Sequence, residues 1–222
     1  MNAAQPFTDP ALIADYVAGT PRKVPGLADL HRMAMLLLAE HAPATADILV
    51  VGAGGGLELK AFAEAQPDWR FVGVDPSAPM LDLARAVLGP LGPRVDLRQG
   101  FVDSAPPGPF DGATCLLTLH FLQREARLHT LREIHRRLKP GAPLVVAHHS
   151  VPDGGEAATW LTRSAAFAGG DVERARLSAA KMAEHLPVLS TDEEVALQRD
   201  AGFRDVALFY AGFSFRGWVS RA

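Results

Sequence analysis

The stretch ILVVGAGGGLELKAF, from Ile48 to Phe62, decides the fold of this 222-residue chain. Its first four residues are continuously apolar, which is typical of a strand buried on both faces of a parallel sheet. Glycine follows at positions 52, 54, 55 and 56, and Leu57–Ala65 has the pattern of a helix that ends before Pro67. A strand, a glycine-rich turn and a helix predict the start of a right-handed βαβ unit.

The alternation of strand and helix continues along the chain to about residue 150. Further strands are expected at Trp69–Val74, Arg94–Arg98, Gly112–Leu119 and Pro143–His148, with helices at Pro79–Leu88 and Gln123–Leu138. Three more helices and two closely spaced strands are then expected at Glu156–Ala168, Val172–His185, Asp192–Ala201, Val206–Tyr210 and Phe213–Val219. The sequence therefore predicts an α/β fold, with a doubly wound, mostly parallel seven-stranded sheet and a C-terminal antiparallel hairpin.

The chain is predicted to be a single domain made of four segments. Residues 1–45 form an N-terminal helical cap, and residues 46–150 form the core around the glycine turn. Residues 151–190 form a helical insertion, where substrate choice is expected to reside. Residues 191–222 supply a closing helix and an apolar hairpin, which would permit a homodimer.

Composition excludes several classes of protein. The formal net charge of −3 gives no overall attraction to nucleic acid. Cys115 is the single cysteine, which excludes an intramolecular disulfide and a multi-cysteine zinc site. No apolar run is long enough to span a bilayer, and the start, MNAAQPFTDPAL, lacks the features of a secretory signal. We therefore expect a cytoplasmic protein with no membrane association.

The glycine turn is compatible with some ligands and not with others. A phosphate-binding P-loop requires Lys-Ser or Lys-Thr after its glycines, and neither is present. The dinucleotide fingerprint G-x-G-x-x-G fails because its sixth position, counted from Gly52, is Leu57. The pattern is G-x-G-x-G, which resembles the turn of class I methyltransferases, enzymes that bind S-adenosylmethionine. A tight turn without any ligand is the alternative.

Asp75 ends the second predicted strand, nineteen residues after Gly56. A carboxylate at this position can accept hydrogen bonds from both hydroxyls of a ribose. The alternative is that Asp75 caps the helix that begins near Ser77. NAD-binding enzymes use the same acid, so Asp75 predicts a nucleoside without choosing the cofactor.

Motifs in the rest of the chain make that choice. The motifs that distinguish between cofactors are RQGFVD (98–103), FDGATCLLTLHFL (110–122), EIHRRLKPGAPLVV (133–146) and DAGFRDVALFYAGFSFRGWVSR (200–221). In this order they resemble the class I S-adenosylmethionine-dependent methyltransferases over about residues 7–220. RKVPGLADL (22–30) and SAPMLDLARA (77–86) are most similar to the carboxy-S-adenosylmethionine synthase subgroup.

The resemblance implies that S-adenosylmethionine lies across the strand ends, without a metal, and that the N-terminal segment folds over it. Gly52, Ala53 and Gly54 would border the methionine part, and Asp75 would hold the ribose. The remaining residues implied to bind the cofactor are Arg22, Pro76, Met80, Gly100, Phe101, Val102, Leu116, Leu117 and Phe121. Arg22 would contact a carboxylate, although an exposed, solvated arginine is an equal alternative.

The chain also departs from the family pattern. The usual acid two residues before the first glycine is Val50, so one indirect contact with the cofactor's amino group is missing. The cation expected to pair with the additional carboxylate of a carboxylated cofactor is replaced by Ala180, beside Lys181. Because a buried carboxylate without a cation is costly, plain S-adenosylmethionine is favoured. Lys181 could substitute through a shift of one residue.

Histidines near the strand ends are the candidate catalytic residues. Methyl transfer needs a base only where the acceptor must lose a proton, and histidine suits that role near neutral pH. His120 follows the fourth predicted strand and His149 the fifth, so both are candidates. Hydrogen-bonding wall residues are the alternative for each.

The sequence thus predicts an S-adenosylmethionine-dependent methyltransferase. A small-molecule acceptor is favoured over modified tRNA. The alternatives are an enzyme similar to carboxy-S-adenosylmethionine synthase, acting in tRNA modification, and a non-catalytic protein that binds the cofactor.

Overall fold

A computed structural model describes residues 7–169 and 171–222 of the chain. Residues 1–6, which fall in the predicted cap and in the segment tested for a secretory signal, and Gly170, in the predicted insertion, lie outside the described residues. The strands are β1 (Asp47–Val51), β2 (Arg70–Asp75), β3 (Val95–Gln99), β4 (Gly112–Leu116), β5 (Pro143–Val151), β6 (Leu189–Ser190), β7 (Arg204–Gly212) and β8 (Phe215–Arg221).

The described strands form one sheet in the order β3-β2-β1-β4-β5-β8-β7, with β6 paired to β5. Strands β1 to β5 are parallel, whereas β8 runs antiparallel to both β5 and β7. The predicted doubly wound sheet with a closing hairpin is confirmed. The two-residue β6, which the sequence analysis did not predict, makes eight strands instead of seven.

Eight α-helices lie among the described residues: α1 (Pro10–Lys23), α2 (Leu27–Ala39), α3 (Leu57–Ala65), α4 (Ala78–Leu88), α5 (Arg124–Arg137), α6 (Ala157–Phe167), α7 (Val172–His185) and α8 (Thr191–Asp200). Their ends follow from local chemistry. The Ser77 hydroxyl caps α4, and Ser190 and Glu193 form a capping box at the start of α8. None of the described helices has the length and apolar character needed to cross a membrane.

Strand β1 lies inside the sheet and is buried on both faces. Ile48 and Val50 face a core formed with α2 and α3, while Leu49 and Val51 face a second core formed with α5 and α8. Successive side chains of a strand point to opposite faces, so a parallel strand covered on both sides must be apolar throughout. This explains why the apolar run before the glycine turn is continuous.

Some strand bounds differ from the predicted ones where the backbone leaves the extended region. Strand β4 ends at Leu116 rather than Leu119, because Leu117 adopts a positive φ of 56°. The hairpin turn lies two residues later than predicted, and its Phe213 also has a positive φ, 55°. The apolar composition of both segments does not reveal these backbone conformations.

Arg127 of α5 and Glu194 of α8 form an enclosed ion pair, with side chains 0% and 1% exposed. His148 of β5 places its Nε2 atom 3.0 Å from Oε1 of the same glutamate. Burial acts to raise the pKa of Glu194, but His148 and Arg127 outweigh it and the pKa is lowered. The glutamate therefore stays ionised at neutral pH and joins three elements of the fold.

Candidate active site

A cavity lies beyond the carboxyl ends of β1, β2 and β4. The strand order reverses here, since the chain passes from β1 outward to β3 and then returns to place β4 on the other side of β1. Doubly wound sheets bind their ligands at such switch points. The cavity is lined by most of the residues that the sequence analysis implicated: Gly52, Gly54, Asp75, Pro76, Met80, Gly100, Phe101, Val102, Leu116, Leu117 and Phe121.

The glycine turn is held tightly against the end of β2. Gly52 and Ala53 donate backbone hydrogen bonds to the carbonyl of Val74, at 2.9 and 3.0 Å. A Cβ atom on Gly54 would lie 2.7 Å from Asp75 Oδ2 and 2.9 Å from Met80 Cβ. A side chain at this position would therefore fill the space where the turn approaches the cavity.

Asp75 connects the turn to the start of α4. Its Oδ2 accepts a hydrogen bond from Gly54 N at 3.0 Å, and its Oδ1 accepts one from Ser77 N at 2.9 Å. Ser77 itself, rather than Asp75, caps α4 through Met80 N at 3.3 Å. A carboxylate oxygen has two lone pairs, so each oxygen of Asp75 retains an acceptor position for a hydroxyl group. Burial raises the pKa of Asp75 above its ordinary value, although these two N–H groups act in the opposite direction.

Aromatic residues of the N-terminal segment cover the cavity. The Phe7 ring makes edge contacts with Tyr16 and Phe121, at centroid distances of 6.2 and 5.5 Å. The Phe7 carbonyl accepts a hydrogen bond from the Ser77 hydroxyl at 2.9 Å. The resemblance predicted that the N-terminal segment folds over the site, but neither Phe7 nor Tyr16 was among the predicted residues. Two aromatic side chains in a mostly exposed segment are the signal that could have identified them.

A second cavity lies next to the glycine turn. It shares five lining residues with the first cavity: Tyr16, Gly52, Gly54, Leu116 and Leu117. Ala53 lines this second cavity, together with His31 and Glu58. The two cavities therefore meet at the turn. The sequence analysis did not identify Glu58, His31 or Tyr16 as site residues.

Arg22 does not lie at either cavity. Its side chain is 65% exposed and pairs with Asp15 at 3.3 Å, about two helical turns away along α1. The charged end is therefore satisfied at the surface of the N-terminal helix. The structure gives no support for the predicted contact between Arg22 and a cofactor carboxylate.

His120 and His149 lie behind the wall of the first cavity and do not line it. His149 N approaches His120 Nδ1 at 3.4 Å, and His149 Nδ1 is 2.8 Å from the Ser214 hydroxyl. Burial lowers the pKa of His149 to about 3 and holds the pKa of His120 well below its usual value. Both imidazoles are therefore neutral at pH 7. The Phe121 ring, which lines the cavity, contacts the His120 ring at a centroid distance of 4.2 Å.

No cluster of three histidine, cysteine or carboxylate side chains suited to a metal ion occurs in residues 7–169 and 171–222. The first cavity instead offers one carboxylate, backbone groups and apolar side chains. No lysine or arginine of the described chain lines either cavity. A ligand with a pyrophosphate would lack a cationic partner here.

Comparison with known proteins agrees with this geometry. Residues 48–141, which include β1, the glycine turn, Asp75 and β4, match the family model described as a methyltransferase domain. Over these residues the chain is thus similar to methyltransferase domains. The glycine turn and Asp75 both fall within the matched part.

Two curated relatives match parts of the chain. A carboxy-S-adenosyl-L-methionine synthase of Campylobacter lari is 27% identical over 126 residues, which are 57% of this chain and 54% of the relative. A demethylmenaquinone methyltransferase of Lactiplantibacillus plantarum is 38% identical over 119 residues, 51% of this chain and 49% of the relative. The chain thus matches only about half the length of these relatives.

The same fold is found in solved structures. An S-adenosylmethionine-dependent methyltransferase, SibL, crystallised in its apo form, superposes with a TM-score of 0.63 at 18% sequence identity. The superposition covers 98% of this chain and 71% of SibL. This likeness confirms the predicted methyltransferase fold.

Proposed function

We propose that this chain binds S-adenosylmethionine and transfers its methyl group to a small-molecule acceptor. The main support for the proposal is the hydrogen bond that Gly54 N donates to Asp75 Oδ2 at 3.0 Å. It lies at the switch point of the sheet. The turn is too closely packed for a side chain, and it sits beside a carboxylate with free acceptor positions. This arrangement suits a nucleoside without a pyrophosphate.

The residues present fit such a cofactor. Asp75 would accept the ribose hydroxyls, and Met80, Pro76 and Phe101 would border the adenine. Leu116, Leu117 and Phe121 would form the apolar wall at the sulfonium end. When bound, S-adenosylmethionine would supply an activated methyl group for in-line attack by an acceptor atom, with S-adenosylhomocysteine as the leaving group. The chain contributes orientation and the exclusion of water, which the aromatic cover of Phe7 and Tyr16 favours.

The lining also bears on the choice between plain and carboxylated cofactor. An additional carboxylate would need a cation, yet Arg22 is paired with Asp15 at the surface and Lys181 lies exposed on α7. Neither side chain lines the cavities. Plain S-adenosylmethionine is therefore the cofactor we propose, although one relative is named as a carboxy-S-adenosylmethionine synthase.

Where the acceptor must lose a proton, we propose His120 and His149 as the proton acceptors. Each neutral imidazole has one acceptor nitrogen at pH 7. In His120 this is Nδ1, which already accepts a hydrogen bond from His149 N, and the lowered pKa makes both histidines weak bases. Replacing a general base costs roughly 10²- to 10⁴-fold in rate. We expect such a loss in His120→Gln, with unchanged cofactor affinity. An unaltered rate and pH profile would assign the histidine to the wall alone.

Calorimetry and mass spectrometry together test the proposed function. S-adenosylmethionine and S-adenosylhomocysteine should bind with one-to-one stoichiometry, and NAD should give no heat of binding. A panel of small hydroxylated, amino and quinoid compounds, with tRNA as a separate sample, should yield a product heavier by one methyl group. NAD binding without any response to the other two ligands would contradict the proposal. Cofactor binding without any methylated product would indicate a non-catalytic binding protein.

A further inference from the structure

Glu58, the second residue of α3, is a buried carboxyl group without a cation. Its side chain is 8% exposed, and Oε1 accepts a hydrogen bond from the Thr114 hydroxyl at 2.5 Å. No lysine or arginine among the described residues pairs with it within 4 Å. A buried carboxyl group with a single neutral partner is unfavourable when ionised, so its retention here points to a ligand.

The ionisable groups that face Glu58 supply no positive charge. They are Tyr16 of α1, His31 of α2 and Cys115 of β4. Burial lowers the pKa of His31 to about 4, so this imidazole is neutral at pH 7. Burial raises the pKa of Tyr16 and of Cys115, which therefore remain protonated. A compensating cation must come from outside these residues.

Glu58 lies at the end of the path that a cofactor would follow. It lines the second cavity, which meets the first along Gly52 and Gly54. A ribose held by Asp75 in the first cavity would direct its 5′ substituent across these glycines. That substituent would enter the second cavity, where Glu58, His31 and Thr20 are polar.

We infer that Glu58 accepts the ammonium group of the cofactor's amino-acid tail. The inference rests on the proposed function and adds a specificity-determining residue to it. The position where the family pattern has an acid is Val50, which is fully buried in the core on the α2 and α3 side. Glu58 supplies a carboxyl group close to the same turn from the following helix. It would thereby select ligands that carry an amine at this end.

Proton release follows from this role. Burial raises the pKa of Glu58 to about 8, so the ligand-free protein carries the proton at pH 7. An ammonium group binds the ionised form, and the proton must leave as the ligand enters. The α-ammonium of the free ligand is still largely protonated at this pH, since α-amino groups titrate near 7.7–8.0. The proton released into buffer therefore originates from Glu58.

The test compares wild-type protein with Glu58→Gln, which retains an oxygen acceptor for Thr114 and removes only the charge. S-adenosylhomocysteine is titrated at pH 7 into each protein, in two buffers of different ionisation enthalpy. We expect release of close to one proton from the wild type and none from the variant. The affinity of the variant should fall by roughly 10- to 100-fold, the range for a hydrogen bond to a charged group. Glu64→Gln, at an exposed position of the same helix, should match the wild type.

A second ligand separates this inference from the proposed function. 5′-Methylthioadenosine lacks the amino-acid tail, so it should bind both proteins equally and release no proton. Equal affinity of the two proteins for S-adenosylhomocysteine, or wild-type binding without proton release, would overturn the role of Glu58. A wild type that binds neither ligand would overturn the proposed function itself. The wild-type measurement is decisive even where the variant fails to fold.

Discussion

The backbone N–H of Gly54 donates a hydrogen bond to Asp75 Oδ2 at 3.0 Å, and so joins the glycine turn after β1 to the carboxyl end of β2. The two residues are separated by 21 positions in the sequence. The contact is possible because Gly54 has no side chain: a Cβ atom would lie 2.7 Å from the same carboxylate oxygen. The closely packed glycine turn and the Asp75 carboxylate, with its remaining acceptor positions, thus form one structural unit.

Gly54→Ala should damage this unit. The added methyl group must displace Asp75 or Met80, and overpacking of this kind costs typically about 1–3 kcal/mol. We expect a lower free energy of unfolding in urea and a cofactor affinity reduced at least about tenfold. Gly92→Ala is the matched control, because a Cβ atom there meets nothing within 4 Å. Equal stability and affinity in the two variants would show that the turn can accommodate a methyl group at position 54.

Asp75→Ala should weaken S-adenosylhomocysteine binding by roughly 1–3 kcal/mol, the scale for losing hydrogen bonds to a charged group. Isothermal calorimetry measures this loss directly. Asp82→Ala, which removes an exposed carboxylate of α4 paired with Arg85, serves as the control. Unchanged affinity in Asp75→Ala would limit this residue to holding Gly54 and Ser77 in place.

Glu58 should make the ligand-free protein less stable as pH rises. The pKa of its carboxyl group is raised to about 8 in the folded state, from an ordinary value of 4.5 in the unfolded chain. The folded state therefore binds more protons between these values, and the free energy of unfolding falls with pH across this window. We expect Glu58→Gln to be more stable than the wild type at pH 8 by roughly 3–5 kcal/mol, and the two proteins to be equally stable below pH 4.

Urea unfolding at several pH values measures this dependence. Glu64→Gln again provides an exposed control, and its profile should follow that of the wild type. A Glu58→Gln profile parallel to the wild type from pH 5 to pH 8 would mean that Glu58 is ionised throughout.

Removal of one partner of the ion pair between Arg127 and Glu194 should strongly lower the free energy of unfolding. Glu194→Gln leaves the buried guanidinium group without its counter-ion, and such a change costs about 3–5 kcal/mol. Replacing both residues with apolar ones, as in Arg127→Met with Glu194→Leu, should recover most of that loss. Glu173→Gln breaks the exposed pair with Arg176 and should change stability by no more than about 0.5 kcal/mol. A small effect of Glu194→Gln in urea unfolding would show that water reaches this pair.

The bounds of helices were predictable from the sequence where neighbouring residues set them. Leu57–Ala65 has the bounds predicted from the glycine turn before it and Pro67 after it, and Val172–His185 also has its predicted bounds. The end of β4 was not predictable, because the positive φ of Leu117 is imposed by packing at the strand end and leaves no trace in composition.

The candidate site was predictable in part for a related reason. A motif identifies positions that require one type of residue. Gly54 and Asp75 are such positions, and both line the first cavity. Glu58 and Tyr16 reach the site through tertiary packing of α3 and α1, and a charged or aromatic residue on a helix has no sequence mark of burial. Arg22 lines neither cavity, since a nearby carboxylate, Asp15, binds it at the surface.

A crystal structure of the protein with S-adenosylhomocysteine tests the central claim most directly. We predict electron density for the adenosine in the cavity beyond β1, β2 and β4, with the ribose hydroxyls on Asp75 and the amino-acid tail passing Gly54 toward Glu58. Density for the ligand elsewhere, or a cavity that stays empty at saturating ligand, would contradict the account.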